Sequence, residues 1–485
     1  MARQLEGLKP ERVFYYFEEI SKIPRGSGNT KAISDYLVGY AKDHGLSYRQ
    51  DEWNNVVIRK KATPGYETHP VVMLQGHMDM VCEKTAESTH DFLKDPLDLY
   101  VEDGFVKARG TTLGADDGIA VAYILSILED DTIPSPELEA VITVDEEIGM
   151  LGAAAMDMSD LKAHYVINID SEDEGIFLSG CAGGLTAHLH LPYTYVEAPE
   201  DAISYELTIG GLTGGHSGQE IHKGRASAHV LLGRVLACFD DHSLNYGIAG
   251  FQAGTKDNVI PNGVTLELFL EPEELGEFQK LVDALQEVFL QEFKTTDPNL
   301  FLSFKEKSIP SRKIIDFEAM AKLTYILTVS PAGVARMSPD IEGLVETSLN
   351  MGILHLGDEE IEISYLIRSS IESAKYALYD KIRYIGALLG CEVDYTGAYP
   401  GWQYRKDSLL QKAIKDLYEE QTGKKGVIEA IHAGVECGMF DAGLKDADIV
   451  SFGPNLYDIH TFHERMDIAS AERTYDLLVS LLERL

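Results

Sequence analysis

The period of the apolar positions changes several times along the chain, and each change marks an element. Residues 10–23 carry apolar side chains at helical spacing, with Pro10 suited to a first turn and "PRGSGN" to a stop. Four short β-rich runs follow: "NVVIRK", "PVVMLQG", "LEAVITV" and "YVINID". Between the second and third lies "GIAVAYILSILEDD", which reads as a helix with a wide apolar face. Strands separated by helices predict a layered α/β domain.

After "LSGCAGGLTAHLHLP" the texture changes. From about residue 203 the segments read strand, helix, strand, strand, helix, strand, running from "ISYELTIGG" to "NLFLSF". A similar succession runs from "FEAMAKLTYIL" to "CEVDYTG" and suggests a doubled α+β unit, although no residue-level repeat is visible. The α/β texture resumes after "AYPGWQ", through "LLQKAIKDLYEEQTG" and "DADIVSFGPN" to the closing helix "AERTYDLLVSLLERL". The simplest architecture is one discontinuous α/β domain, residues 1–195 plus 398–485, carrying an inserted α+β domain, residues 196–397.

Composition narrows the function. A chain of 485 residues with 45% hydrophobic content suits two or three domains with sizeable cores. With 42 Lys+Arg against 79 Asp+Glu the net charge is −37, a surface that repels phosphate backbones and anionic lipid. Nucleic acid and membranes are therefore not expected as partners. The five cysteines (Cys82, Cys181, Cys238, Cys391 and Cys437) are few, odd in number and scattered, unlike a disulfide framework. The amphipathic, charged N-terminus has no apolar signal core and starts at Met1, which predicts a soluble, cytoplasmic protein.

Candidate chemistry gathers where β-rich runs end. In "VVMLQGHMDMV", His77 and Asp79 share a face at strand spacing, so Asp79 can hydrogen-bond the imidazole and fix its tautomer. In "RGTTLGADDGIAVA", Asp116 and Asp117 sit in a glycine-flanked turn opening a helix. A helix cap needs one carboxylate, and capping explains Asp117 better than Asp116. "VITVDEEIGMLGA" ends an apolar run in Glu146 and Glu147, and neighbours on an extended strand face opposite ways, so two different jobs are expected. "YVINIDSEDEG" places Asp170 at a further strand end.

Each of these has a bland reading alone. Together they converge on the edge where open α/β sheets place their sites. That many carboxylates cannot cluster without a compensating cation. A mixed His/carboxylate set suits zinc, or another first-row dication such as cobalt or manganese. Two such ions close together can polarise a carbonyl and acidify a bridging water. In "GPNLYDIHTFHERMD" both His460 and His463 could supply the remaining nitrogen, with Glu464 and Asp467 nearby. The residues alone leave that choice open.

At these positions the chain resembles the dinuclear-zinc aminopeptidase and carboxypeptidase superfamily of aminoacylases, tripeptidases and carnosinase-like dipeptidases. Within it the match is to the aminoacyl-histidine (Xaa-His) dipeptidases of the peptidase D type. The stretches that carry the resemblance are "GHMDMV", "GTTLGADDGIAVA", "DEEIGMLGA", "INIDSEDEG", "GGHSGQEIHKGRA", "NVIPNG", "LIRSS" and "AIHAGVECG", with the closing "GP…H…E". They span nearly the whole chain in order. The resemblance implies a three-layer α/β/α catalytic domain with an inserted lid and dimerisation domain, a small peptide substrate, a homodimer and two divalent ions per chain.

It further implies that Asp116 bridges the two metals, with His77 and Asp170 completing one site and Glu147 and His460 the other. Asp79 would orient His77, and Glu146 would be the general base. The family's last ligand is a His four residues before a Glu, which selects His460 with Glu464, although "HTFHE" departs from the usual "HSPDE"-like stretch. A cis peptide between Asp116 and Asp117 is implied as well. His216 of "GGHSG" would stabilise the oxyanion, Asn258 and Arg368 would meet the substrate carboxylate, and Gly434 and Glu436 would line the region of the free amino group. An N-acyl-amino-acid amidohydrolase or a β-alanyl dipeptidase would keep the same metal residues and change the pocket. A metal binder without catalysis has no need of a base beside Glu147.

Overall fold

All four early β-rich runs pair within one eight-stranded sheet. Its order is Ser47–Gln50, Val56–Lys60, Leu138–Thr143, Val72–His77, Tyr165–Asn168, Asp448–Ser451, Ile176–Cys181 and Val427–Ile431. The computed structural model describes residues 3–308 and 311–485. The four central strands, from Leu138–Thr143 to Asp448–Ser451, run parallel. Every residue in them is buried, which is why they read as near-continuous apolar runs and not as alternating ones. Register sets His77 opposite Thr143 and Gln75 opposite Asn168, so the three early strands deliver residues 77–79, 144–147 and 169–170 to the same edge.

The first helix is Glu11–Ile20, three residues shorter at its C-terminal end than its pattern predicts, and the Ser21 hydroxyl closes it on the Phe17 carbonyl at 2.7 Å. Val13, Phe14, Phe17 and Ile20 form its buried stripe, which packs on helix Ala115–Glu129. That second helix is buried from Ala115 to Leu128 and packs on strand Val72–His77, so its wide apolar face is in fact apolar all round. Helices Leu409–Thr422 and Ile468–Arg484 pack on each other; Ser408 and Asp467 cap them through the amides of Gln411 and Ser470, each at 2.9 Å. A small antiparallel sheet of Leu456–Tyr457, Arg465–Asp467, Phe105–Ala108 and Leu99–Glu102 holds the two ends of the loop 458–464. These elements form one compact unit: Met1–Cys181, Trp402–Ala430 and Val435–Leu485.

The second unit, Ala182–Gly401 with Ile431–Gly434, contains two larger antiparallel sheets. One runs in the order Tyr246–Gln252, Val264–Leu270, Ile203–Gly210, Phe301–Glu306. The other runs Gly333–Met337, Val345–Leu356, Glu360–Ser369, Gly183–Pro192, Glu392–Tyr399. Apart from the extra edge strand Gly333–Met337, the two share one strand–helix–strand–strand–helix–strand plan, with helices Ala228–Asp241 and Leu275–Glu292 in one and Phe317–Val329 and Glu372–Leu389 in the other. The opening strand of the second set is Gly183–Pro192, which lies upstream of the whole first set. One repeat is threaded through the other. Leu207, Leu268, Phe278, Ile363 and Ile382 belong to a single apolar core. Among the described residues no helix is long and apolar enough to cross a membrane.

Ile124, fully buried at the centre of Ala115–Glu129, tests this packing. Ile124→Ala should cost about 2–5 kcal/mol, read as a lower urea midpoint with an unchanged slope.

Candidate metal centre

His77 is the last residue of its strand, and its ring is gripped from both sides. Nε2 lies 3.1 Å from Asp116 Oδ1 and 3.7 Å from Asp170 Oδ1, while Nδ1 faces Asp79 Oδ1 at 3.3 Å. His460 Nε2 lies 3.0 Å from Asp116 Oδ2 and 3.0 Å from Glu147 Oε2. Two triads result, His77/Asp116/Asp170 and Asp116/Glu147/His460, each with its donor atoms within 4.8 Å of one another. Asp116 belongs to both and turns one oxygen towards each imidazole.

Local backbone explains the convergence. The Asp116–Asp117 peptide is cis, and both residues have non-helical dihedrals at the head of their helix. Asp117 does not serve as the cap its position suggests; its Oδ2 accepts the His77 amide at 3.1 Å. Glu464 cradles the same turn, accepting the amides of Leu113 and Gly114 on Oε2 at 2.7 and 2.9 Å and those of Ala115 and Asp116 on Oε1 at 2.8 and 3.4 Å.

The paired glutamates do not lie on an extended strand. The strand stops at Thr143, Asp145 takes a left-handed φ of 55°, and Glu146 and Glu147 begin the turn that follows. Their amides donate to Asp79 Oδ1 and Oδ2 at 3.2 and 3.4 Å, and Ser27 Oγ donates to Oδ2 at 2.8 Å. His460 also has a left-handed φ, of 60°, which is uncommon outside glycine. His463, the other imidazole of that loop, is exposed beside the Phe462 ring.

Protonation follows from this crowding. Burial disfavours the charged form of His77, but its hydrogen bond to Asp116 and the nearby charge of Asp170 outweigh that and raise its pKa well above the ordinary value. Hydrogen bonds to Asp116 and Glu147 push His460 up to about 10. Burial would raise Asp116 too, yet its two histidine partners hold it below the usual carboxylate range. Glu146 has no such partner, and burial pushes it up to about 9.

These groups fit divalent cations. Every donor is an imidazole nitrogen or a carboxylate oxygen, the shared carboxylate can serve two ions, and the buried Glu147 Oε1 has no hydrogen-bond partner within the protein.

The remaining predicted residues are placed as follows. His216 ends the short strand Gly215–His216, and its Nδ1 accepts the amides of Gly218 and Gln219 at 3.2 and 3.1 Å, which puts its proton on Nε2. Burial, then the nearby Arg368, lowers its pKa. Asn258 is exposed, with its carbonyl on the Ser217 amide at 2.9 Å. Arg368 is buried, and its Nη1 donates to the Tyr399 hydroxyl at 3.1 Å. These three residues and Gly434 belong to the second unit; Glu436 belongs to the first. The Glu436 carboxylate is fully buried, with Oε2 accepting from Gln75 at 2.6 Å and Thr143 at 2.7 Å. Gln75, which also accepts from Asn168, stands as a polar residue within an otherwise apolar strand, the one mark of this buried network in the sequence of that strand.

Peptidase family M20/M25/M40 matches residues 73–484. The chain is 37% identical over 486 residues to the cytosol non-specific dipeptidase of Escherichia coli (strain K12), covering 99% of both chains. The chain belongs to peptidase family M20/M25/M40. The fold of this M20 peptidase matches the crystal structure of aminoacylhistidine dipeptidase from Vibrio alginolyticus with a TM-score of 0.94 at 35% identity, over 99% of this chain and 98% of that one. The aminopeptidase PepT structure from Bacillus cereus shares the fold at TM-score 0.56 and 16% identity, over 98% of each chain. The protein is thus a metal-dependent peptide-bond hydrolase with an α/β catalytic domain and an inserted α+β domain.

Because His460 sits at about 10, it holds its proton at neutral pH, and a metal ligand must surrender it. Calorimetric zinc titration near about pH 7.5, in buffers of differing ionisation enthalpy, should show about one proton or more released per chain. Zero release would remove His460 from the donor set.

Proposed function

We propose that this M20 peptidase is a dipeptidase that hydrolyses the peptide bond of short, unblocked peptides, with Xaa-His dipeptides as the first class to test. The observation that carries the reading is Asp116, shared between two His/carboxylate triads with the partnerless Glu146 beside them. The relatives named as dipeptidases supply the substrate class. His77 and Asp170 would hold one ion, Glu147 and His460 the other, and Asp116 both. The ions are read as zinc, with cobalt or manganese as alternatives. A cytoplasmic homodimer is part of the same proposal, on the resemblance and on the relative named for the cytosol.

When bound, a pair of dications supplies Lewis acidity towards the scissile carbonyl and a lowered pKa for the attacking water. Glu146 accepts the water's proton and passes it to the leaving amine. With cations held by the neighbouring triads, its carboxyl would stand in the basic form. Asp79 lies 3.3 Å from His77 Nδ1 and holds the turn of the paired glutamates through the Glu146 and Glu147 amides, so one carboxylate stands against a ligand and fixes the turn of the base. His216 is assigned the oxyanion, through the Nε2 proton that its backbone contacts leave free. Arg368 and Asn258 are assigned the substrate carboxylate.

Glu436 favours a free amine over an acyl group. Its Oε2 is engaged by Gln75 and Thr143, but the buried Oε1 has no hydrogen-bond partner within the protein. An ammonium would satisfy that oxygen with a charge-assisted bond, whereas an N-acyl amide brings no charge.

Glu146→Gln should lower kcat by about 10²–10⁴-fold while two ions per chain remain by elemental analysis. Retention of most of the activity would reassign the base. Glu436→Gln should raise KM for free dipeptides by about 10–100-fold, the worth of one charge-assisted bond, in a panel that includes N-acetyl amino acids. Faster turnover of the N-acetyl compounds by the wild-type protein would make it an acyl-amino-acid hydrolase instead.

A further inference from the structure

The loops bearing Asp79 and Asp116 are tied together from behind by residues 25–28, which follow the first helix. Arg25 is 2% exposed, and its Nη1 donates to the carbonyls of Met78 and Asp79 at 3.0 and 3.1 Å. Its Nη2 donates to the carbonyl of Gly114, two residues before Asp116. The space it occupies depends on two glycines of "LGADDG". A Cβ on Gly114 would come within 2.6 Å of Nη2 and one on Gly118 within 2.5 Å, and Gly114 also has a φ of +65°. Next along the chain, Gly26 bridges to Met80, the Ser27 hydroxyl holds Asp79 Oδ2 at 2.8 Å, and the Gly28 amide donates to Asp145 Oδ1 at 2.7 Å. Four consecutive residues therefore touch two separate exits from the sheet and the start of the adjoining helix.

A buried guanidinium is costly unless it is hydrogen-bonded and balanced by negative charge. Here carbonyls take protons from both terminal nitrogens, only the buried Nε lacking a partner within the protein, and Glu464, Asp79 and Asp117 supply the field around it. Glu464 holds the Gly114 amide while Arg25 holds the Gly114 carbonyl, so the turn before Asp116 is clamped through successive peptide groups. A planar fork can serve two loops at once, which a lysine ammonium does less well.

We propose that Arg25 is a positioning residue for the metal centre: its fork fixes the spacing between the Asp79 and Asp116 loops, and its permanent charge offsets part of the carboxylate excess, so that the two ion sites form in register. This rests on the dinuclear reading above. It assigns a role in catalysis to a segment that the sequence presents as a helix stop.

The test compares wild type with Arg25→Lys, Arg25→Met and Ser27→Ala in the full chain. Zinc affinity and stoichiometry are read by competition with a chromophoric chelator, kcat and KM on a dipeptide at saturating zinc, and thermal midpoints on metal-stripped protein. Arg25→Lys should keep its metal-stripped midpoint, weaken the looser ion about tenfold or more and lower kcat by a similar factor with KM within about twofold, because small misplacements act on the chemical step. Ser27→Ala should move the same readouts in the same direction by less. Should Arg25→Met fail to fold, the other two variants decide the outcome. A lowered midpoint with unchanged zinc affinity and kcat would make Arg25 merely structural and overturn the proposal. Wild-type protein that binds no zinc would overturn the dinuclear reading and this one with it; wild type that binds two ions, matched by every variant, would overturn only the role of Arg25.

Discussion

Repulsion among carboxylates governs the edge of the parallel sheet. Asp79, Asp116, Asp117, Glu146, Glu147 and Asp170 are delivered there by strand ends and one helix start, with His77, His460 and Arg25 close by to oppose them. Two like charges about 4 Å apart cost roughly 4 kcal/mol even at an effective dielectric of about 20. The cluster must therefore take up protons or cations. The directions of the pKa shifts show the division: two histidine partners hold Asp116 ionised, while burial drives Asp117, Glu146 and, despite its His460 partner, Glu147 towards the neutral form. Divalent ions held by the two triads would replace those protons with charge at fixed places.

The same crowding explains why so many acids are present when few can coordinate. A carboxylate has about four acceptor directions, which makes it an efficient tie between backbone segments. Glu464 spends its acceptors on four successive amides, Asp79 on Ser27 and the Glu146 and Glu147 amides, and Asp117 on the His77 amide. These three hold loops in place. Asp116, Glu147 and Asp170 are left with oxygens turned towards imidazole nitrogens. Motif spacing places all six in one neighbourhood, but hydrogen-bond partners separate the ties from the candidate ligands.

Local periodicity carried much of the architecture. The fully buried strands, the apolar helix 115–129 and the strand–helix succession of the inserted unit all leave patterns over windows of five to fifteen residues. What escaped is non-local or acts against the local rule. Gly183–Pro192 belongs to a repeat whose other members begin beyond residue 310, and no window spans that gap. Glu146 and Glu147 read as strand neighbours, but the strand ends at Thr143 and the two sit in a turn opened by a left-handed Asp145, a conformation that composition does not announce. Asp117 had a good local explanation as a cap, but a distant amide won it. Arg25 and Glu464 reach the site across long sequence separations, so nothing near them in the chain marks their task.

A centre built this way weakens the fold that holds it. Buried carboxyl groups give up hydration, and those that stay ionised repel one another, so the edge of the sheet contributes little to stability and must be supported by the apolar layers beneath it. Those layers are extensive: Phe14, Phe17, Leu74, Ile124, Ile142 and Ile167 belong to one continuous buried cluster of the first unit. Ions that bind the folded centre and not the unfolded chain return stability by mass action, about 4 kcal/mol for a site at a thousand times its dissociation constant. On the dinuclear reading, negative charge held where a cation balances it would also couple the stability of the first unit to its metal supply. A mutation that loosens the clamp around Asp116 therefore acts on two quantities at once, the geometry of the reaction and the free energy that the ions lend to the fold.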